Sequence, residues 1–192
     1  MARKCNFDRD EKLTQAMELF WQRGYANTAI SDLVDALQIN RFSLYNTFGD
    51  KQNLYYEALD QYLNTVSLPG LSALREDGAS LSGIETFLNQ FAALQRKRSC
   101  GCFIQNALVE HAGHDDKVLD KGQMLFDELL ALLAHAIDNA QRDQQISPAI
   151  APKALAQLIL TQLQGMRVLG KAKRFDDLDQ ATAALLQLIR LN

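Results

Sequence analysis

Proline is scarce in this 192-residue chain, with three residues, and Gly-rich segments are few. No stretch alternates polar and apolar residues long enough to read as a strand. The two absences together exclude a β fold and leave an all-α protein. Cysteine is scarce too: Cys5, Cys100 and Cys102 are an odd number without framework spacing. That excludes a disulfide scaffold and fits a reducing, cytoplasmic setting. No apolar run approaches the roughly 20 residues of a membrane span; the longest, near Leu129–Ile137, is interrupted by His135. Arg3 and Lys4 are followed by Asn6, Phe7, Asp8, Arg9 and Asp10 rather than an apolar signal core, so export is not expected. Catalytic signatures are missing as well: there is no phosphate-cradling Gly loop, no G-x-S-x-G, no H-E-x-x-H and no cysteine–histidine pair at a recognisable spacing. An enzyme is not expected, and scattered acids on helices read as solvated faces.

Charge is the last thing the chain has little of. The formal net charge is −3, which by itself does not suggest a nucleic-acid binder. Residues 1–55, however, balance seven basic against seven acidic residues, so the acidic surplus lies entirely in the remainder. A neutral segment with one basic face can still engage phosphates, with a shallower salt dependence than a strongly basic protein.

What is present is a dense series of helical patterns, long enough to bury a substantial core. The informative one is RGYANTAISDLVDALQINRFSLYNTFGDKQNL, from Arg23 to Leu54. Ile30, Leu33, Val34 and Leu37 follow the i, i+3, i+4, i+7 rule for one buried helix face, with Thr28 or Asn27 as N-cap. Gln38-Ile39-Asn40 forms a short break, in which Ile39 seals the turn and Asn40 caps the next helix. That helix spans Arg41–Phe48, with Leu44, Tyr45 and Phe48 on its packing side and Arg41, Ser43, Asn46 and Thr47 outside. Gly49 ends it, and Asp50 caps the following one. Two short helices around a three-residue break describe a helix-turn-helix, in which one helix braces another in a DNA major groove. On spacing alone, two ordinary surface helices fit equally well.

The ordered set Thr28, Leu33, Ser43, Leu44, Tyr45, Phe48, Lys51 and Leu54, with the upstream LFWQRGY, resembles the N-terminal signature of the TetR/AcrR family of bacterial regulators. About 60 residues carry the similarity. One position departs: the family's turn usually holds glycine where this chain has Gln38. The resemblance implies a three-helix DNA-binding domain over residues 1–49, a connecting helix over 50–66, and a helical effector-binding and dimerisation domain over 67–192.

Downstream patterns fit that expectation. The first helix spans Arg9–Arg23, with Leu13, Ala16, Met17 and Phe20 at core spacing and Trp21 extending the face. Residues 69–82 are the best linker candidate. Helices follow over about Leu81–Arg96, with Arg96, Lys97 and Arg98 at its end. Next come a short helix closed by Gly113, one opened by Asp115 or Asp116 and reaching Arg142, and the final pair, Pro152–Gly170 and Leu178–Leu191. That last pair carries more apolar surface than one face needs. It fits either a wholly internal position or, as the resemblance implies, a homodimer seam.

Candidate DNA contacts are Thr28, Arg41, Phe42, Ser43, Tyr45, Asn46, Thr47 and Lys51. Lys51 and Tyr45 suit phosphates, and the resemblance adds Thr28 as a backbone contact. Arg41 suits a guanine and Asn46 an adenine. Phe42 either meets a thymine methyl or is buried. Phe87, Phe91, Cys102, Phe103, Met124, Phe126 and Met166 are candidates to line a cavity for a small-molecule effector, although sequence does not separate pocket from core. Cys100 and Cys102 read as small buried residues or as reactive thiols beside cations. His111, His114, Asp115 and Asp116 read as turn and cap residues rather than metal ligands, and no cofactor is expected. The expected function is a cytoplasmic, sequence-specific, homodimeric repressor released from operator DNA by a small molecule. The alternative is a helical ligand-binding or protein-interaction module whose helix-turn-helix does not read DNA.

Overall fold

The computed structural model describes residues 7–97, 100–111 and 113–190. Its helices are α1 (Arg9–Arg23), α2 (Ile30–Leu37), α3 (Arg41–Phe48), α4 (Lys51–Tyr62), α5 (Ser72–Arg75), α6 (Leu81–Lys97), α7 (Phe103–His111), α8 (Asp116–Arg142), α9 (Pro152–Lys171) and α10 (Phe175–Ile189). Among the described residues there is no strand, only an isolated antiparallel bridge between Ile146 and Arg190. Arg3, Lys4, Cys5, Arg98 and Leu191, which entered the sequence reading, lie outside the described residues.

The chain forms two compact units. The first combines residues up to Val66 with Cys102–Gly122, and the second combines Ser67–Gly101 with the residues from Gln123 onward. The boundary expected from the sequence instead groups 102–122 with the rest of 67–192. Aromatic burial is the reason for the difference. Phe20, Tyr25 and Tyr55 gather in the first unit, with Tyr55 edge-on to Phe20 at 5.1 Å and tilted against Tyr25 at 4.9 Å. Onto this group α7 adds Phe103, edge-on to Tyr55 and Tyr62 at 5.6 and 5.7 Å, and His111, 5.2 Å from Tyr25 and 5.5 Å from Tyr55. Edge-to-face pairs at these separations contribute roughly 0.5–1.5 kcal/mol each beyond area burial.

Local chemistry sets the helix ends. The Asp8 carboxylate accepts from the N–H groups of Asp10 and Glu11 and starts α1, and Gly24 ends it at φ +82°. Asn40 Oδ1 accepts from Ser43 N at 2.8 Å to start α3, and Asp50 Oδ1 accepts from Asn53 N at 2.7 Å to start α4. One expected cap is different. Ala29, not Thr28 or Asn27, is the N-cap of α2, and its N–H donates to Asp32 Oδ2 at 2.7 Å. The Thr28 hydroxyl instead donates to Gly24 O at 2.7 Å, closing the α1–α2 turn from inside. A side chain oriented back toward a carbonyl four residues earlier is turned away from the N–H groups of the helix ahead of it.

Gln38 occupies the left-handed region, at φ +52° and ψ +40°, where its N–H bonds Val34 O and its side chain donates to Asp35 O. An L side chain there costs about 1–2 kcal/mol, partly offset because glycine loses more entropy on folding. Gln38→Gly is therefore expected to stabilise the protein by about 0.5–1 kcal/mol, a rise of roughly 1–4 °C in a thermal melt. A lower melting temperature would overturn this account of the turn.

In the second unit, α6, α9 and α10 pack on one another around Ile84, Leu88, Ile159, Leu163, Met166 and Leu185. Gly170 lets α9 approach α6 closely: a Cβ there would lie 2.8 Å from the Cβ of Gln95. Arg190 holds Glu85 at 2.8 Å, and Arg96 pairs with Asp179. Residues 69–82 are not the open linker expected from composition. Pro69–Leu71 is a 3-10 turn running into α5, and Leu71, Ala73 and Leu74 are buried in the core. Apolar residues within that Gly- and Ser-containing stretch decide its fate.

Candidate nucleic-acid interface

Helix α3 is only two turns long, so neighbouring helices must hold it. Leu44 and Phe48 provide the grip; both are buried, as are Leu33 and Leu37 of α2 and Ile39 of the turn. The Arg9 guanidinium covers the Phe48 ring at 4.9 Å, and Asn53 Nδ2 donates to Phe48 O at 2.9 Å. The opposite face projects outward. Phe42 is 78% exposed, which decides between the two readings left open for it: the ring is presented, not buried. Arg41 and Asn46 are also exposed, and Ser43 and Thr47 are half-buried.

Tyr45 was expected on the packing side but lies on the outer side, 38% exposed, with the Arg41 guanidinium 5.7 Å from its ring centroid. The helix is too short to use a third buried position, since Leu44 and Phe48 already fill its inner stripe. Thr28 is the reverse case. It is fully buried and hydrogen-bonded to Gly24 O, so its hydroxyl is not presented to solvent. It shapes the turn rather than offering a contact.

Lys51, the first residue of α4, is half-buried and holds its ammonium 4.1 Å from the centre of the Tyr25 ring. Burial lowers its pKa, while the charges of Glu110 and Asp32 act to raise it. Burial also pushes the Tyr25 phenol up, helped by Asp50, Asp115 and Glu110. Tyr25 was missed as part of this arrangement. The glycine–aromatic exit from α1 was visible in the sequence, but which cation it would meet was not.

The candidate effector residues divide between the units. Cys102 and Phe103 belong to the first, and Phe103 is one of its buried core rings. Phe87 and Met166 are buried in the core of the second unit, and Phe91 packs partly buried against it beneath the Arg167 guanidinium, 5.2 Å away. Phe126 is half-buried, and Met124 is 46% exposed. Cys102 is buried and Cys100 half-buried. His111 is committed to ring contacts. Asp115 caps α8 through Val118 N at 3.2 Å and accepts from Tyr56 Oη at 2.7 Å. Burial acts to raise the Asp115 pKa, but hydrogen bonds from Tyr56, Val118 N and Gln52 outweigh it and hold the carboxyl below its usual range. Tyr56 is correspondingly pushed up to about 12, by burial first and then by the bond to Asp115.

Comparison with known proteins agrees with this geometry. Residues 13–58 match the family model described as "Bacterial regulatory proteins, tetR family", and residues 81–186 match "Tetracyclin repressor-like, C-terminal domain". An uncharacterised HTH-type transcriptional regulator of Bacillus subtilis, YezE, is 31% identical over 62% of this chain and 62% of its own length. The HTH-type transcriptional repressor ComR of Escherichia coli is 33% identical over 52% of this chain and 49% of its own. The matched region thus spans less than two thirds of those two relatives. The repressor DhaR of a Mycobacterium species matches at 25% identity over 94% of this chain and 91% of its own length. Among solved structures, a TetR transcriptional regulator from Chloroflexus aurantiacus superposes with a TM-score of 0.84 at 25% identity, covering 96% of each chain. A cysteine mutant of the TetR family regulator CifR, complexed with 26-base-pair operator DNA, gives 0.83 at 27% identity, covering 98% of this chain and all of that one. With both of its regions matched and its fold shared, this chain belongs to the TetR family of bacterial regulatory proteins.

Proposed function

We propose that the protein is a homodimeric transcriptional repressor that reads operator DNA with α3 and is released by a small molecule. The observation that carries the reading is the division of α3 itself. Leu44 and Phe48 anchor it, while Arg41, Phe42, Tyr45 and Asn46 stand exposed on a helix too short to serve as a structural strut. Arg41 and Asn46 are the base-edge readers, Phe42 the thymine-methyl contact, and Tyr45 and Lys51 the phosphate contacts, with Ser43 and Thr47 at the margins. CifR bound to operator DNA supports the same use of this fold. The relatives are regulators rather than enzymes, and among the described residues no helix is long and apolar enough to cross a membrane.

The dimer seam is read from α9 and α10. Ala154, Leu158, Thr161, Gly165 and Val168 recur at helical spacing and are all exposed, and among the described residues nothing beyond the adjoining turns of α9 lies within 4 Å of a Cβ built on Gly165. Leu188 of α10 is 81% exposed. A dimeric reader of this kind sets its two α3 helices on half-sites about one DNA turn, roughly 34–36 Å, apart. Effector release requires a ligand that binds the two states with different affinity. Phe87, Phe91, Met124, Phe126 and Met166 remain the proposed neighbourhood for it in the second unit.

Selection of binding sites from random DNA tests the reading. A palindromic site with half-site spacing near one helical turn is expected, and an absence of enriched sequence would overturn it. On that site Arg41→Ala should weaken binding by about 1–3 kcal/mol, roughly 5- to 150-fold, and relax one base position. Unchanged affinity in a gel shift would remove Arg41 from the reading set.

A further inference from the structure

The turn between α1 and α2 points two successive backbone N–H groups at one carboxylate, and that carboxylate comes from α7. Tyr25 N donates to Glu110 Oε2 at 3.0 Å and Ala26 N to Glu110 Oε1 at 2.7 Å, across 85 and 84 residues of sequence. Consecutive N–H groups in a turn make a concavity for anions, and here the protein supplies its own. Gly24 fits the same purpose. At φ +82° it turns the chain, and a Cβ there would come within 3.0 Å of Glu110 Oε2. The clamped residue, Tyr25, is also the ring on which the Lys51 ammonium rests at 4.1 Å, while His111, next to Glu110, meets the same ring at 5.2 Å.

We propose that Glu110 is a positioning residue for DNA binding: by clamping the Tyr25 backbone it fixes the aromatic seat that aims Lys51 at an operator phosphate. This rests on the reading of α3 and Lys51 as the DNA-binding elements. It makes α7, which is distant in sequence from the helix-turn-helix, part of the DNA-reading machinery without touching DNA. Geometry and bare electrostatics predict opposite signs here. A carboxylate near a phosphate-binding lysine repels DNA, so deleting it for its charge alone would tighten binding. Losing the clamp lets Tyr25 and Lys51 wander and weakens it.

The test measures operator affinity of the full-length protein across a salt series, using the site selected above, for wild type, Glu110→Ala, Glu110→Gln, Lys51→Ala and Glu110→Ala/Lys51→Ala. Helix content and thermal melts are recorded for each. Glu110→Ala should bind about five- to tenfold more weakly, with the salt slope reduced by about one per subunit, as for Lys51→Ala. Glu110→Gln keeps one acceptor for the turn and should fall between wild type and Glu110→Ala, although it loses the same charge. The double variant should bind no more weakly than Lys51→Ala, because Glu110 acts through Lys51. Tighter binding by either Glu110 variant, an unchanged salt slope, or losses that multiply in the double variant would overturn the proposal. If Glu110→Ala melts too low to assay, Glu110→Gln and the Lys51→Ala comparison still decide it. Wild-type protein that binds no selected site would instead overturn the DNA-binding reading itself.

Discussion

Replacing Leu158 and Leu188 together by glutamate is expected to convert the protein to monomers and to abolish tight operator binding. Both side chains are exposed in the single chain, at 53% and 81%, so the substitutions leave the subunit core untouched. In a two-fold interface each position occurs twice. Four leucines, each contributing roughly 1.5–3 kcal/mol when buried, account for most of what holds a modest dimer together. Four carboxylates in their place add desolvation and like-charge repulsion. A monomer retains one half-site and loses the gain from linking two, which reaches 10²–10⁴ in effective affinity. Light scattering reads the mass, a gel shift reads the affinity, and circular dichroism verifies that the helices persist. A variant that stays dimeric would move the seam away from α9 and α10. One that becomes monomeric yet binds the full operator undiminished would overturn the two-fold reading of DNA.

Phe48→Ala should be the most destabilising single change near the reading helix. The ring is 1% exposed, lies beneath the Arg9 guanidinium at 4.9 Å, and anchors the C-terminal end of α3. Removing a buried phenylalanine costs roughly 3–5 kcal/mol through lost transfer energy and an unfilled cavity, and the cation over its face adds about 0.5–1 kcal/mol to the loss. For a chain of this size that amounts to roughly 7–24 °C in melting temperature. Because α3 is two turns long and Leu44 is its only other buried residue, operator affinity should fall even at temperatures where the bulk of the helix content survives. A drop of less than about 2 °C, or retained affinity, would show that α3 does not depend on this anchor. Phe48→Leu, which keeps most of the apolar volume, should recover much of both losses.

These expectations draw on different levels of information. The helices and their ends were legible because capping and periodicity are local. Asp8, Asn40 and Asp50 each accept from N–H groups two or three residues ahead, and Gly24 and Gly49 end α1 and α3 at positive φ. The division of α3 into buried and exposed faces was mostly legible for the same reason; Tyr45 escaped because a two-turn helix buries a narrower stripe than its composition suggests. Thr28 escaped because a hydroxyl can cap forward or bond backward, and local sequence does not choose between them.

By itself, then, the sequence determined an all-α chain, most of its helix ends and the two short helices at residues 30–48, whose family signature marks them as a helix-turn-helix, since these depend on interactions spanning four residues or fewer. Only the tertiary structure decided that Leu71 and Leu74 pull a loop-like stretch into the core. It also decided that Phe103 completes the aromatic cluster of the first unit, and that Glu110 reaches the turn after α1 across more than eighty residues. Each of those contacts depends on which distant surfaces the topology brings face to face, and no periodicity within a single helix encodes that.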